Sequence, residues 1–381
     1  MLSSEENNAY LAFLRYCLDS DNVDMPGDAK SIDWRKMLSW AERQSVVAVI
    51  FGGIQKADKK LGIPTNILFD WIGYTNQIEG QNRLLNKRCV ELTEHLGQNG
   101  FDSCILKGQG NTMAYPNSLS RTPGDIDVWV MPGERLRVNG SRLNIKKVIR
   151  FAREKNPNGK VCYHHVDYGG FNGVEVEMHY RPSFMFNPLH NYRLQKWFRS
   201  HTESTEITEL PEGVGSINVP NKEFNIIFQL SHVYNHLLHE GIGLRQIIDY
   251  YFLLKSGNNN QVNGERLKVN GSSENREEML KYLGLEKIAE AMMWVLNEVL
   301  GLSEEYLIVP KDEKRGRVLL AEIMKGGNFG HYDVENQKAN SAIKKNLQRI
   351  KRDMRMMRYF PSECLWEPVF RVYHYFWRLA H

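Results

Sequence analysis

The sequence predicts an α+β protein in which a small mixed β-sheet core is flanked by N-terminal and C-terminal helical regions. Three observations carry that prediction. Apolar residues recur at helical spacing up to about residue 100, short alternating apolar runs replace them between 101 and 180, and helical spacing returns beyond about 220. Strands interleaved with helices in one stretch indicate a small α+β or α/β unit. The expected divisions are an N-terminal helical region over 1–77, a sheet-bearing core over 78–190 and a C-terminal helical domain over 191–381.

The elements follow in order. Tyr10, Phe13, Leu14 and Cys17 form one helical stripe, and Trp34, Met37, Leu38 and Trp40 open a second. Over 77–98, Leu84, Leu85, Val90, Leu92 and Leu96 lie along a broad face, and Gly100 suits a C-cap. Ser103–Leu106 reads as a strand running into Lys107-Gly108. A second strand, Ile126–Val130, stands between Gly124-Asp125 and Pro132-Gly133. A helix is expected over 134–154, then strands over Val161–Tyr168 and Val174–Tyr180 with Gly169–Gly173 as the hairpin loop. Helices are expected again from Phe224 to His239, from Leu244 to Leu254, over about 276–300 and over about 336–358, with an exposed loop at 256–276. The aromatic tail from Phe360 to Trp377 is expected to dock on the body.

Composition narrows the class. With 42% apolar and 25% charged residues in 381, the chain buries a sizeable core without covalent staples. Five scattered cysteines with no CxxC pair argue against a zinc ribbon or a disulfide framework and fit a reducing compartment. No signal peptide and no run of about 18 apolar residues are present, so the expectation is a cytoplasmic protein without a membrane partner. The net charge of +4 does not by itself indicate nucleic acid. Lys344, Lys345, Arg349, Lys351, Arg352, Arg355 and Arg358 gather against one acid, Asp353; this reads first as a solvated helix face and second as a surface for polyanions.

The chemistry centres on Asp125 and Asp127, two residues apart and therefore on one face of a strand. Aspartate is disfavoured in strands, and two close carboxylates repel unless a cation neutralises them. Magnesium, or manganese in its place, satisfies such oxygen ligands and keeps positions for phosphate. In Val174–His179 the alternation puts Glu175, Glu177 and His179 on one face, so a third carboxylate is available for a two-metal site. Before the acids, Lys107-Gly108-Gln109-Gly110 follows a strand and opens a helix, a suitable turn for phosphate, though it is not a Walker A sequence. Arg121 lies four residues before Asp125 and is a further candidate phosphate contact. His232, His236 and His239 share a helix face without the glutamate of a zinc protease, so packing or cleft lining is the reading. Arg245 and Asp249 are spaced as an intrahelical pair, and His164-His165 read equally as site or strand residues.

Leu106-Lys107-Gly108, Tyr115-Pro116, Arg121, Gly124-Asp125-Ile126-Asp127 and Val176-Glu177-Met178-His179-Tyr180-Arg181 together resemble the bacterial uncharacterised nucleotidyltransferase family, within the DNA polymerase β-like nucleotidyltransferase superfamily. The resemblance covers most of the chain, with the specific part in 104–181, and the helix with His232, His236, Arg245 and Asp249 is similar to the family's C-terminal half. It implies a polymerase β-like core, with Asp125, Asp127 and Glu177 as catalytic magnesium ligands; Glu175 competes for the third place. Lys107, Gly108, Gln109, Arg121 and Gly124 would then face the phosphates of a nucleoside triphosphate. Gln109 stands where the superfamily has a serine, a departure at the phosphate turn. The implied reaction moves a nucleoside monophosphate to a hydroxyl of an acceptor, a small molecule or protein before RNA. The alternatives are a catalytically silent nucleotide- or partner-binding protein on the same fold and an RNA-directed enzyme.

Overall fold

The structure, a computed structural model, describes residues 4–19, 21–57, 61–132, 145–256, 267–269, 272–274, 276–328 and 342–380. Four helices open the chain: α1 (Ser4–Leu18), α2 (Trp34–Gln44), α3 (Val47–Lys56) and α4 (Thr65–Gln98). Asp33 caps α2 by accepting from the N–H groups of Arg35 and Lys36. In α4, Leu85, Cys89, Leu92 and Leu96 are buried while Leu84 is exposed, so the apolar face is narrower than the sequence stripe. The helix ends before Gly100, whose φ of +80° favours glycine. Residues 77 and 78 lie inside α4, so the first expected division falls within one continuous helix.

The sheet contains β1 (Phe101–Ile105), β2 (Ile126–Pro132), β3 (His165–Phe171) and β4 (Val174–His179) in the order β1-β2-β4-β3. The outer pairings are antiparallel, and β2 and β4 run parallel. Alternation gives each face its own partner. Ile126, Val128 and Val130, with Val176 and Met178, bury against α4 and against Val148, Ile149 and Ala152 of α6 (Ile145–Lys155); between β1 and β2 the short α5 (Gln109–Thr112) has already intervened. The opposite face carries Trp129 and Met131 into a larger core shared by the N-terminal helices and the later ones. Trp129 stacks on Phe224 at 5.3 Å. Asp127 belongs to this second face, at its open end.

Downstream come α7 (Pro188–Ser200), a hairpin of β5 (Thr205–Leu210) and β6 (Gly215–Pro220), α8 (Lys222–His239) and α9 (Leu244–Lys255). After the short strands β7 (Leu267–Val269) and β8 (Ser272–Glu274) follow α10 (Arg276–Leu283), α11 (Glu286–Trp294), α12 (Glu313–Gly326), α13 (Ala342–Met356) and α14 (Pro361–Ala380). None of the described helices is long and apolar enough to cross a membrane.

Several expectations need correction. The loop between β3 and β4 is only Asn172-Gly173, both with positive φ (49° and 89°), a two-residue hairpin turn. The remaining glycines belong to β3, where the register shifts between Asp167 and Gly169. Val161 contributes an isolated bridge to Val166, so the strand begins at His165. The expected helix over 276–300 breaks at Gly284, whose φ is +77°. Elements α7, β5, β6 and α12 were not foreseen, nor was the antiparallel β7–β8 pair inside the stretch expected as a loop; β5 is almost wholly polar, and its Ile207 is 75% exposed. The start of the expected 134–154 helix, much of the 256–276 loop and the first residues of the 336–358 helix lie outside the described residues. The aromatic tail does dock, as α14, through Cys364 and Trp377, with Phe360 buried just before it.

Candidate active site

The parallel pairing of β2 with β4 sets Asp127 directly beside Glu177, and Trp129 beside His179. Asp125 precedes β2 by one residue and lines the same opening. From β1 the chain turns through Lys107-Gly108; Leu106 donates its N–H to the Asp127 carbonyl at 3.0 Å, and Gly108 takes a φ of +61°. A Cβ on Gly110 would stand 2.6 Å from the Ile105 carbonyl oxygen, so the turn needs glycine there.

This turn brings the Lys107 ammonium to 3.1 Å from Asp127 Oδ2, an ion pair whose angle departs from a directed hydrogen bond. Lys107 Nζ also lies 3.4 Å from His232 Nε2. On the other side His179 Nε2 stands 3.0 Å from Asp127 Oδ1 and 3.5 Å from Glu177 Oε2. His165 Nδ1 is 3.4 Å from Glu177, and its Nε2 is 3.6 Å from Asp167. Asp125 has no hydrogen bond or ion pair among the described residues.

Burial and charge compete at each group. Burial disfavours the Lys107 ammonium, yet the carboxylates of Asp127, Asp125 and Glu177 raise its pKa above the ordinary lysine value. Burial likewise opposes the Asp127 carboxylate, but Lys107 and the His179 hydrogen bond hold it below its usual range. Glu177 is lowered in the same way, against burial, by His179, His165 and Lys107. His179 is raised despite burial by Asp127 and Glu177, and His165 is raised to about 10 by Asp167 and its other neighbours. His164 and His232 go the other way, pushed well down by burial and by adjacent cations.

These residues fit a hard divalent cation. Ligand atoms of Asp127, Glu177 and His179 all lie within 4.8 Å of one another, and Asp125 adds an unengaged carboxylate at the mouth. The three carboxylates meet the Lys107 ammonium and the imidazoles of His165 and His179, whose basicity they raise; a divalent cation would take the place of the protons on those imidazoles. The imidazoles of His164, His165 and His179 form a second group within the same span. The centre opens on a cleft of about 840 Å³, a volume suited to small-molecule ligands.

Other expected contacts are placed differently. The Gln109 side chain is buried and turned onto α4, where its Nε2 donates to Asn86 Oδ1. Arg121 borders a small cavity behind the carboxylates, but its guanidinium is committed to Asp249, at 2.8 and 2.9 Å. Tyr115 donates to the same carboxylate at 2.6 Å. Asp249 thus takes Arg121 as a partner that helical spacing alone did not suggest, while Arg245 donates to the carbonyls of Thr122 and Pro123. Gly124 packs beside Arg245, 3.5 Å from its Nη1 for an added Cβ. Glu175 is exposed and does not line the cleft. His232, His236 and His239 do line it, as do His164 and His165. The far wall, built by Arg349, Arg352, Glu367 and Arg371 of α13 and α14, was not foreseen as part of the site. Its one signal in the sequence was the basic run.

A mixed four-stranded sheet with carboxylates gathered where two parallel strands open into a cleft defines an α+β protein with an acidic centre. The chain belongs to the uncharacterised nucleotidyltransferase family, whose model matches residues 30–301. A crystal structure of an antigenic nucleotidyltransferase-like protein from Paracoccidioides brasiliensis is similar at 14% identity and a TM-score of 0.34, covering 61% of this chain and 96% of that one. No curated protein matches. Family membership sets nucleotidyl transfer as the general reaction class.

Proposed function

We propose that the protein transfers a nucleoside monophosphate from a nucleoside triphosphate to a hydroxyl of an acceptor, with magnesium or manganese held by Asp125, Asp127 and Glu177. The observation that carries this reading is the parallel register that seats Glu177 beside Asp127, with Asp125 at the mouth and the Lys107 ammonium among all three. Divalent cations bound there would supply charge for the phosphate oxygens and for the attacking oxygen. Lys107 holds the carboxylates charged and offers a point charge to phosphate. Glu177, kept as a carboxylate, orients the acceptor hydroxyl and accepts its proton. The acceptor oxygen forms a bond to the α-phosphorus as the bond from that phosphorus to the bridging oxygen breaks. Pyrophosphate leaves with the electron pair. His179, between Asp127 and Glu177, keeps the two side chains in place.

A screen of the four labelled triphosphates with magnesium against cell extract tests this. Label on a product with the native chain, and none with Asp125→Asn/Asp127→Asn, supports transfer. A second reading, a catalytically silent binding protein, is favoured by one feature: both Asp127 oxygens already meet Lys107 and His179. That reading requires nucleotide binding without pyrophosphate release at any acceptor tried.

A further inference from the structure

The far wall of the cleft comes from α13 and α14, beyond the residues that the family model matches. Cations dominate it. Arg349, Arg352, Arg371 and Arg378 line the cleft with Lys160. Both acids that line this side of the cleft are already engaged: Glu240 lies 3.3 Å from His236 and 3.7 Å from His239, and Glu367 accepts from Arg371. Arg352 is 7% exposed. Arg349 stands one helical turn before it on the same face, partly buried, with no hydrogen bond or ion pair among the described residues. Burial and the like charges of Arg371 and Arg352 push the Arg349 pKa down, against the opposing carboxylates of Glu367 and Glu240. The nearby His374 is pushed down to about 4 by burial, Arg378 and Lys160. With Glu367 and Glu240 held by Arg371, His236 and His239, a further anion would offset the cost of this half-buried guanidinium.

We propose that Arg349 and Arg352 bind an oxyanion, phosphate or carboxylate, carried by the small-molecule acceptor, whose hydroxyl then reaches Glu177 across the cleft. The planar guanidinium suits both anions through paired hydrogen bonds. The acceptor's role rests on the nucleotidyl-transfer reading above; the anion site itself does not. Two walls of opposite sign in one cleft orient a ligand with an anion at one end, and the acidic wall repels that end.

Calorimetric titration of the full chain with inorganic phosphate and, separately, with succinate tests the site. Each runs with and without magnesium and α,β-methylene-ATP. At least one anion should bind in the millimolar range, in the presence of nucleotide as well as without it. Arg349→Gln should weaken that binding about tenfold and Arg349→Lys less, with nucleotide affinity unchanged in both. Asp127→Asn should leave anion binding intact. The preferred anion separates phosphate-bearing from carboxylate-bearing acceptors. The proposal is overturned by absence of binding for both anions, by binding indifferent to Arg349→Gln, or by nucleotide displacing the anion, which would give these arginines to the donor's triphosphate. If nucleotide fails to bind while Arg349-dependent anion binding persists, the transfer reading falls and the anion site stands.

Discussion

Asp127 on β2 and Asp353 on α13 are carboxylates with almost no exposure, 1% and 3%, and they are handled in opposite ways. Asp127 meets Lys107 and His179 and is held below the ordinary carboxylate range. Asp353 finds no hydrogen-bond donor; Arg371 is 3.9 Å away, and burial and the charge of Glu367 push its carboxyl upward. β2 keeps the charge of its buried carboxylate, and α13 suppresses that of its own. Such polarity is what a cleft needs to hold a cation at one end and an anion at the other.

The largest expected effect comes from breaking the acidic wall. Asp127→Asn keeps the shape but removes a charge beside Glu177 and should lower turnover about 10³-fold. Glu177→Gln should approach it, whereas Glu175→Gln, exposed and outside the cleft, should stay near wild type. Pyrophosphate release with a fixed acceptor measures all three. Equal losses for both glutamate variants would mean that the pairing of Asp127 with Glu177 does not select the third carboxylate.

The acidic wall was legible in the sequence because its determinants are local. Period-two alternation placed Asp125 with Asp127 and Glu177 with His179, and the family motif joined the two strands. What alternation did not contain was the tertiary partner. Helical spacing pairs Asp249 with Arg245, four residues away, whereas its carboxylate binds Arg121 and Tyr115 from 128 and 134 residues earlier in the chain. The basic run was visible as composition only. Which of its arginines turn inward depends on how α13 packs against α8 and α14. In the structure Arg349 and Arg352 face the cleft, and Lys351 and Arg358 are exposed. Gln109 shows the same limit, since a neighbour on α4 decides where its side chain points.

The second expected effect concerns what supports the acidic wall. Arg121 and Asp249 are both buried, so Asp249→Ala leaves an uncompensated guanidinium and should cost about 3–5 kcal/mol of stability. Thermal unfolding reads this directly. The pair Arg121→Met with Asp249→Leu should recover most of the loss, because it removes the orphaned charge. If the double variant is no better than the single one, the pair does more than balance charge.

The basic wall should respond more weakly, and to pH. A carboxyl raised in the fold stabilises when protonated. Its contribution is present below the ordinary carboxylate pKa of about 4 and declines as pH rises from there toward its raised folded value. Asp353→Asn should therefore flatten the stability profile on the alkaline side and gain about 1 kcal/mol there, on the order expected for partial relief of one shifted group. Denaturant melts across pH measure it. An unchanged profile would mean that Asp353 keeps its charge in the fold.

The smallest effect separates a binding site from a diffuse field. Lys351 shares α13 with Arg349 but is exposed, and surface charges are screened over about 8–10 Å at moderate salt. Lys351→Glu should leave phosphate or succinate binding within about twofold of wild type. Arg349→Gln, a smaller change in charge, should weaken it more. That inversion discriminates because an overall positive potential predicts the reverse order: the charge reversal would outweigh the neutralisation. Were Lys351→Glu the more damaging, and RNA binding lost with it, the basic run would be an external polyanion surface and the inward turn of Arg349 incidental.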